Sequence, residues 1–196
     1  LAGISCTIHV KEEGFRVLIP IPGQHMVYNA LAGTAVGLTY GLSLEEIKRG
    51  IESLQPVSGR FHILKTGSYT VIDDCYNANP VSMKASLEVL SDADTRKAAI
   101  LGDMGELGEN EVDLHREVGV YAASRDIDLI LCVGKLSAYM AEAASLAAPS
   151  KEVLHFETRD ALLEQLPGLL EPGDTVLVKA SHFMQFEKVV EALGSM

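Results

Sequence analysis

The run Ile72-Asp73-Asp74-Cys75-Tyr76-Asn77-Ala78-Asn79-Pro80 sets two adjacent carboxylates and two amides between a β-rich stretch and a helical pattern. Polar groups at the carboxyl end of a strand, just ahead of a helix N-terminus, are where open α/β sheets bind their ligands. Paired acids there can grip a ribose diol or stand near a metal. Asn79 as an N-cap and Pro80 at the first helical position need no function at all. That account leaves out Asp73, Asp74 and Asn77, which read as a site.

A second cluster is Leu101-Gly102-Asp103-Met104-Gly105-Glu106-Leu107-Gly108. Glycines at every third position suit a flexible βα loop, and their spacing is not that of a dinucleotide fingerprint. Asp103 and Glu106 are placed to face a cleft. His115, early in the next helix, reads as a solvated or capping histidine. Gly59-Arg60-Phe61-His62-Ile63-Leu64-Lys65-Thr66 has the length of a phosphate-binding loop, but Leu64 stands where the second glycine belongs and the run is strand-like. There is no Gly-x-Ser-x-Gly, His-Glu-x-x-His or Cys-x-x-Cys, and the six histidines are scattered.

These loops need elements to hold them. Ile4–Val10 and Phe15–Ile19 flank a turn at Lys11–Gly14 and predict a hairpin. A helix follows from about Gln24 to Tyr40, with Val27, Leu31, Thr34 and Leu38 on one face and Gly41 at C′. The next begins at a capping box, Ser43-Leu44-Glu45-Glu46, with Leu44, Ile47, Ile51 and Leu54 as its stripe. Gln55–Gly59 reads as a linker. Beyond it, Phe61–Thr66 and Tyr69–Asp73 form a hairpin around Gly67-Ser68, and a βα rhythm begins. Strands are expected at Tyr69–Asp74, Ala98–Leu101, Leu129–Val133, Val153–Phe156 and Thr175–Val178. Helices are expected at Val81–Leu90, Glu111–Ser124, Leu136–Ala147, Ala161–Leu166 and Phe186–Leu193. This alternation predicts an α/β fold, Rossmann-like, with a mostly parallel sheet and helices on both faces. The hairpin and two helices before it make a thin core and read as part of a larger domain.

Composition narrows the class. The chain has 196 residues and a net charge of −11, which argues against a nucleic-acid backbone as partner. An anionic substrate would have to be met by local donors. Cys6, Cys75 and Cys132 are too far apart for a disulfide framework or a metal site, which fits a reducing cytoplasm. No apolar run reaches the roughly 18 residues of a membrane span, and no membrane partner is expected. The chain opens on Leu1 inside a strand pattern and reads as a piece of something longer.

Pro22-Gly23-Gln24-His25-Met26-Val27-Tyr28-Asn29-Ala30-Leu31-Ala32 resembles a segment near the end of the central ATP-binding domain of Mur ligases. Gly59-Arg60-Phe61 is similar to that family's hinge. The Asp-Asp-Cys-Tyr-Asn-Ala-Asn-Pro run, the Leu101–Gly108 loop and Lys179-Ala180-Ser181 resemble its C-terminal domain, in the branch that joins D-alanyl-D-alanine to UDP-N-acetylmuramoyl-tripeptide. Asp-Asn-Pro-Arg, expected of the sister branch that adds the third residue, is absent.

The resemblance implies two domains, residues 1–57 as the end of a central ATP-binding domain and 58–196 as the C-terminal domain. It implies an ATP- and Mg2+-dependent amide ligase of peptidoglycan synthesis, cytoplasmic and monomeric. Its partners would be small molecules: ATP, UDP-N-acetylmuramoyl-tripeptide and D-alanyl-D-alanine. The γ-phosphoryl group would pass to the tripeptide carboxylate, and the dipeptide amine would then displace phosphate from the acyl phosphate. Asn29 would contact adenine, Arg60 stack on the base and Asp74 accept the ribose hydroxyls, with His25 and Asn77 as further nucleotide-site candidates. Asp103, Glu106, Asn79, Lys179 and Ser181 are the substrate-side candidates. No catalytic residue and no metal ligand is assigned to this chain, because the phosphate loop, the acidic magnesium ligand and the modified lysine are expected upstream of Leu1. Met26, Ala180 and His182 depart from the family pattern, which usually has asparagine, glycine and arginine there. The rival readings are another Mur-type ligase, folylpolyglutamate- or cyanophycin-like, and a non-catalytic nucleotide-binding module.

Overall fold

In the computed structural model, which describes Leu1 and residues 3–196, the chain divides between Pro56 and Val57 into two units. The first is built on an antiparallel hairpin of β1 (Ile4–Val10) and β2 (Glu13–Ile19). Its turn is tighter than the sequence predicts. Lys11 takes a left-handed conformation (φ 55°), so two residues suffice, and Gly14 lies inside the strand opposite His9. Helix α1 (His25–Thr39) and helix α2 (Leu44–Glu52) pack on the hairpin. The capping box forms as expected: the Ser43 hydroxyl accepts from Glu46 N–H, and the Glu46 carboxylate accepts from Ser43 N–H at 2.9 Å.

The buried face of α1 is only partly the expected one: Thr34 is buried and Val27 packs against the core as predicted. Ala30, Thr34 and Gly37 face inward, whereas Leu31 and Leu38 are exposed together with Tyr28 and Val36. The reason is the closeness of α2. A Cβ on Gly37 would lie 2.8 Å from the Ile47 side chain, so only small residues fit along that seam. The unit's core is Ile8, Val17, Ile19, Ala30, Ile47 and Ile51.

The second unit follows the predicted βα rhythm closely. Strand β3 (His62–Lys65) and strand β4 (Thr70–Asp73) pair antiparallel around Gly67-Ser68. Then come α3 (Pro80–Ser91), β5 (Lys97–Gly102), α4 (Glu111–Ser124), β6 (Leu129–Val133), α5 (Ser137–Ala147), β7 (Glu152–Phe156), α6 (Arg159–Leu169), β8 (Thr175–Lys179) and α7 (Glu187–Ser195). The sheet order is β3-β4-β8-β5-β6-β7, parallel throughout except for β3 at one edge.

Strands β5, β6 and β8 are buried at every residue, as central parallel strands covered on both faces must be. One face carries Val71, Ile100, Leu131 and Val178 against Leu162, Leu166, Val189 and Leu193 of α6 and α7. The alternate residues, such as Ile72, Leu101 and Leu177, are equally buried on the face that α3, α4 and α5 cover. The last strand in sequence, β8, thus sits mid-sheet and brings Lys179 beside the end of β4. Among the described residues no helix is long and apolar enough to cross a membrane.

Candidate functional site

Both acids at the end of β4 are engaged by the chain itself. Asp73 is buried; its Oδ2 accepts from Gly59 N–H at 2.7 Å and lies 3.3 Å from the Ser58 hydroxyl, and its Oδ1 accepts from the Cys75 thiol at 3.1 Å. It pins the start of the second unit and is not a ligand-facing acid. Burial, and then the bond to Asp73, raises the Cys75 thiol well above its ordinary range, so this cysteine is inert. Asn79 and Pro80 take the structural role: the Asn79 side chain caps Ser82 N–H at 2.9 Å, and Ser82 Oγ accepts from Asn79 N–H.

Asp74 is the more telling acid. Its Oδ1 accepts from Phe61 N–H at 3.1 Å. Its Oδ2 lies 2.5 Å from Lys179 Nζ and 2.6 Å from Ser86 Oγ. The Lys179 ammonium also donates to the Asn77 carbonyl at 2.9 Å, fixing the turn that follows the two acids. Burial pulls Lys179 below the ordinary lysine range against the opposing pull of Asp74. A carboxylate offers about four acceptor positions. The chain fills three of them and leaves one on Oδ1. One open position on a held carboxylate can accept one ligand hydroxyl. The Asn77 side chain is exposed and accepts only from the neighbouring Ala78 N–H at 2.8 Å.

The glycine loop is built from the other side. Asp103 does not face a cleft. It is buried, and its Oδ1 accepts from both the backbone N–H and the hydroxyl of Ser137, each at 2.7 Å, at the head of α5. A carboxylate there complements the partial positive charge of the helix N-terminus. Ser181 Oγ accepts from Gly105 N–H at 2.8 Å, and Ser181 N–H donates to the Asp103 carbonyl at 3.1 Å. His115 is fully buried rather than solvated. Its Nε2 accepts from Met104 N–H at 2.9 Å and its Nδ1 lies 2.6 Å from the Glu111 carbonyl, which makes Nδ1 the protonated nitrogen. Of the loop's candidates only Glu106 is exposed, in a left-handed conformation (φ 61°).

Above these groups lies an exposed rim. The Arg60 guanidinium stacks 4.2 Å from the Tyr76 ring centroid, and the His182 ring lies 5.3 Å from the same ring. Arg60 therefore presents a flat cation already seated on an aromatic ring. His25 and Asn29 belong to the first unit, where His25 opens α1 and the exposed Asn29 Nδ2 donates to Met26 Sδ at 3.3 Å. Sequence reasoning missed Ser86, Tyr76 and the structural role of His115. Only Tyr76, inside the quoted run, carried a local signal; the others act through contacts from a helix back to the loop at the preceding strand's end. Among the described residues no three His, Cys, Asp or Glu side chains gather to hold a metal.

An α/β domain with ligand-facing loops at its strand ends is a common frame, and comparison with known proteins narrows it. The family profile of the Mur ligase, glutamate ligase domain, matches residues 59–182. The chain belongs to the Mur ligase family. The curated UDP-N-acetylmuramoyl-tripeptide--D-alanyl-D-alanine ligase of Bacillus subtilis is 36% identical over 194 residues, covering 97% of this chain and 42% of the relative. A crystal structure of MurF from Acinetobacter baumannii superposes with a TM-score of 0.89 at 32% identity, covering 100% of this chain and 43% of that one. The MurF ligase of Thermotoga maritima in complex with ADP gives 0.79 at 25% identity, covering 99% and 44%. The chain thus spans less than half the length of these relatives.

Proposed function

We propose that this chain is the C-terminal part of an ATP-dependent ligase that adds D-alanyl-D-alanine to UDP-N-acetylmuramoyl-tripeptide in the cytoplasm. The observation that supports this most is the likeness to curated ligases of that name over 97% of the chain. In this reading residues 1–57 end a central ATP-binding domain and 58–196 form the C-terminal domain. The apolar side chains exposed on α1, Tyr28, Leu31, Val36 and Leu38, fit a unit that needs further cover.

The second unit's residues would bind and orient. Asp74 would offer its open acceptor to the ribose diol of ATP, and Arg60 on Tyr76 would stack against the base. Asn77 would lie beside the nucleotide. In the first unit, Asn29 and His25 are the candidates for contacts to the nucleotide, Asn29 by an amide to the adenine edge. Glu106, on the exposed loop tip, would meet the incoming dipeptide. Asn79, Asp103, Lys179 and Ser181 would act indirectly, by holding the loops that carry the others. Magnesium would neutralise the triphosphate charge during phosphoryl transfer.

The test uses the full-length parent protein with ATP, magnesium and UDP-N-acetylmuramoyl-tripeptide. Phosphate release should depend on D-alanyl-D-alanine. Release that ignores the dipeptide but responds to L-glutamate would move the chain to another Mur-type ligase. The 196-residue chain by itself, which has no glycine-rich lysine loop, should release no phosphate from ATP above a heat-inactivated control.

A further inference from the structure

Lys179 is among the largest side chains that the fold buries completely, at 1% exposure, and it is cationic. A buried ion pair is a poor means of stabilisation, because two apolar side chains of like volume serve as well or better. What such a pair provides is a fixed place for a charge. Here the ammonium makes two contacts, to Asp74 Oδ2 at 2.5 Å and to the Asn77 carbonyl at 2.9 Å. Ser86 Oγ lies 2.6 Å from the same carboxylate oxygen, but it is also 2.9 Å from the Ser82 carbonyl and has only one proton to give. Without Lys179, then, Asp74 Oδ2 would keep one shared donor. Oδ1 would keep its bond from Phe61 N–H at 3.1 Å, but with Oδ2 held only by that shared donor the carboxylate's last torsion would be less tightly fixed.

We propose that Lys179 is the positioning residue of Asp74, holding Oδ2 so that the one unfilled acceptor of Oδ1 is set for a hydroxyl of the vicinal diol of a nucleoside. This rests on the reading of Asp74 as the ribose acceptor. It adds that β8, through its last residue, decides whether that acid is competent. Lys179 itself touches no ligand. Its hold on the Asn77 carbonyl serves the same end, by setting the turn in which the acid lies.

The experiment measures adenosine and 2′,3′-dideoxyadenosine binding to the 196-residue chain by NMR titration, a method suited to weak affinities. The variants are Lys179→Met, Asp74→Asn and the pair combined. Adenosine should bind the unaltered chain more tightly than the dideoxy analogue. Lys179→Met should remove most of that preference, about tenfold for a charge-assisted contact, and leave the analogue's affinity alone. In the Asp74→Asn background, Lys179→Met should change neither affinity further. The combined variant buries no unpaired charge, so it reports even where Lys179→Met alone does not fold. A Lys179→Met chain that keeps the diol preference overturns the proposal, as does one that weakens both ligands equally. So does a further loss on top of Asp74→Asn, since Lys179 would then act by another route. If the unaltered chain shows no diol preference, or if Asp74→Asn keeps it, the ribose reading of Asp74 falls and the proposal falls with it.

Discussion

Asp103 and Glu106 lie three residues apart in one loop and have opposite fates. Asp103 turns in to hold the first residue of α5, while Glu106 stands in solvent at a left-handed position. Asp103→Ala should therefore cost about 2–4 kcal/mol, because it strips the acceptor from a buried N–H and hydroxyl. Glu106→Ala should stay within about 0.5 kcal/mol. Denaturant midpoints of the two variants check this, and equal losses would contradict it. Local sequence could not tell these acids apart, since the difference lies in a partner more than thirty positions away, Ser137. Asp73, whose partner is Gly59, and His115, which reaches back to Met104, misled because their partners too lie outside the local run, 14 and 11 positions away. Asn79 and Ser43, whose partners are three residues on, were legible. Buried thiols add a pH dependence. Burial, and then the charge of Asp103, pushes Cys132 up to about 12 from an ordinary 9.0. The folded chain thus keeps a proton that the unfolded chain has lost, so stability should fall as pH rises through that window. Lys179 acts in the opposite sense, because its lowered value relieves a burial cost at high pH. Unfolding midpoints at about pH 8 and about pH 10.5 should show a net loss, smaller in Cys132→Ala.

At the scale of elements, existence and type were legible and facing was only partly so. Glu111–Ser124 and Leu129–Val133 end where periodicity and breakers place them. Strands buried on both faces, such as β6, announce themselves as unbroken apolar runs. Helix α1 announced its face only in part, because close packing selected its small residues over its large ones. The same rule operates where α4 meets α5. A Cβ on Gly119 would sit 2.1 Å from the Met140 carbonyl oxygen, a backbone atom with nowhere to retreat. Gly119→Ala should force the helices apart and cost about 1–3 kcal/mol or more, despite alanine's better helix propensity. Gly168→Ala, at a helical glycine with open space around its Cβ position, is the control and should be neutral or stabilising. A stable Gly119→Ala chain would mean that the two helices can slide at little cost.

For the whole molecule, the division at Pro56 and Val57 has a chemical basis. Ser53 to Gln55 and Val57-Ser58 are exposed, whereas Gly59 and Phe61 are fastened by Asp73 and Asp74. Limited proteolysis should cut first between Ser53 and Ser58, and the larger product should keep a cooperative melt. Early cuts inside Lys97–Val133 would show that the second unit does not stand as one body. Charge balance and the βα rhythm revealed the class of this unit, but sheet order was invisible to them, because nothing local says where the last strand inserts.

That insertion bears on how the molecule is made. Strand β8 pairs on one side with β4 and on the other with β5, so Val176 lies between Val71 and Ala98. Until Thr175–Lys179 has been synthesised, the growing chain holds two part-sheets, each with a raw edge facing a gap. Such long-range closure is slow, and open edges invite mispairing. Asp74 waits just as long for its lysine. A product cut short before β8 is therefore an unjoined pair of fragments with exposed strands, fit for a chaperone or a protease and not for a nucleotide. The late arrival of one strand works as an inspection step, in which assembly of the site certifies that translation reached the last strand.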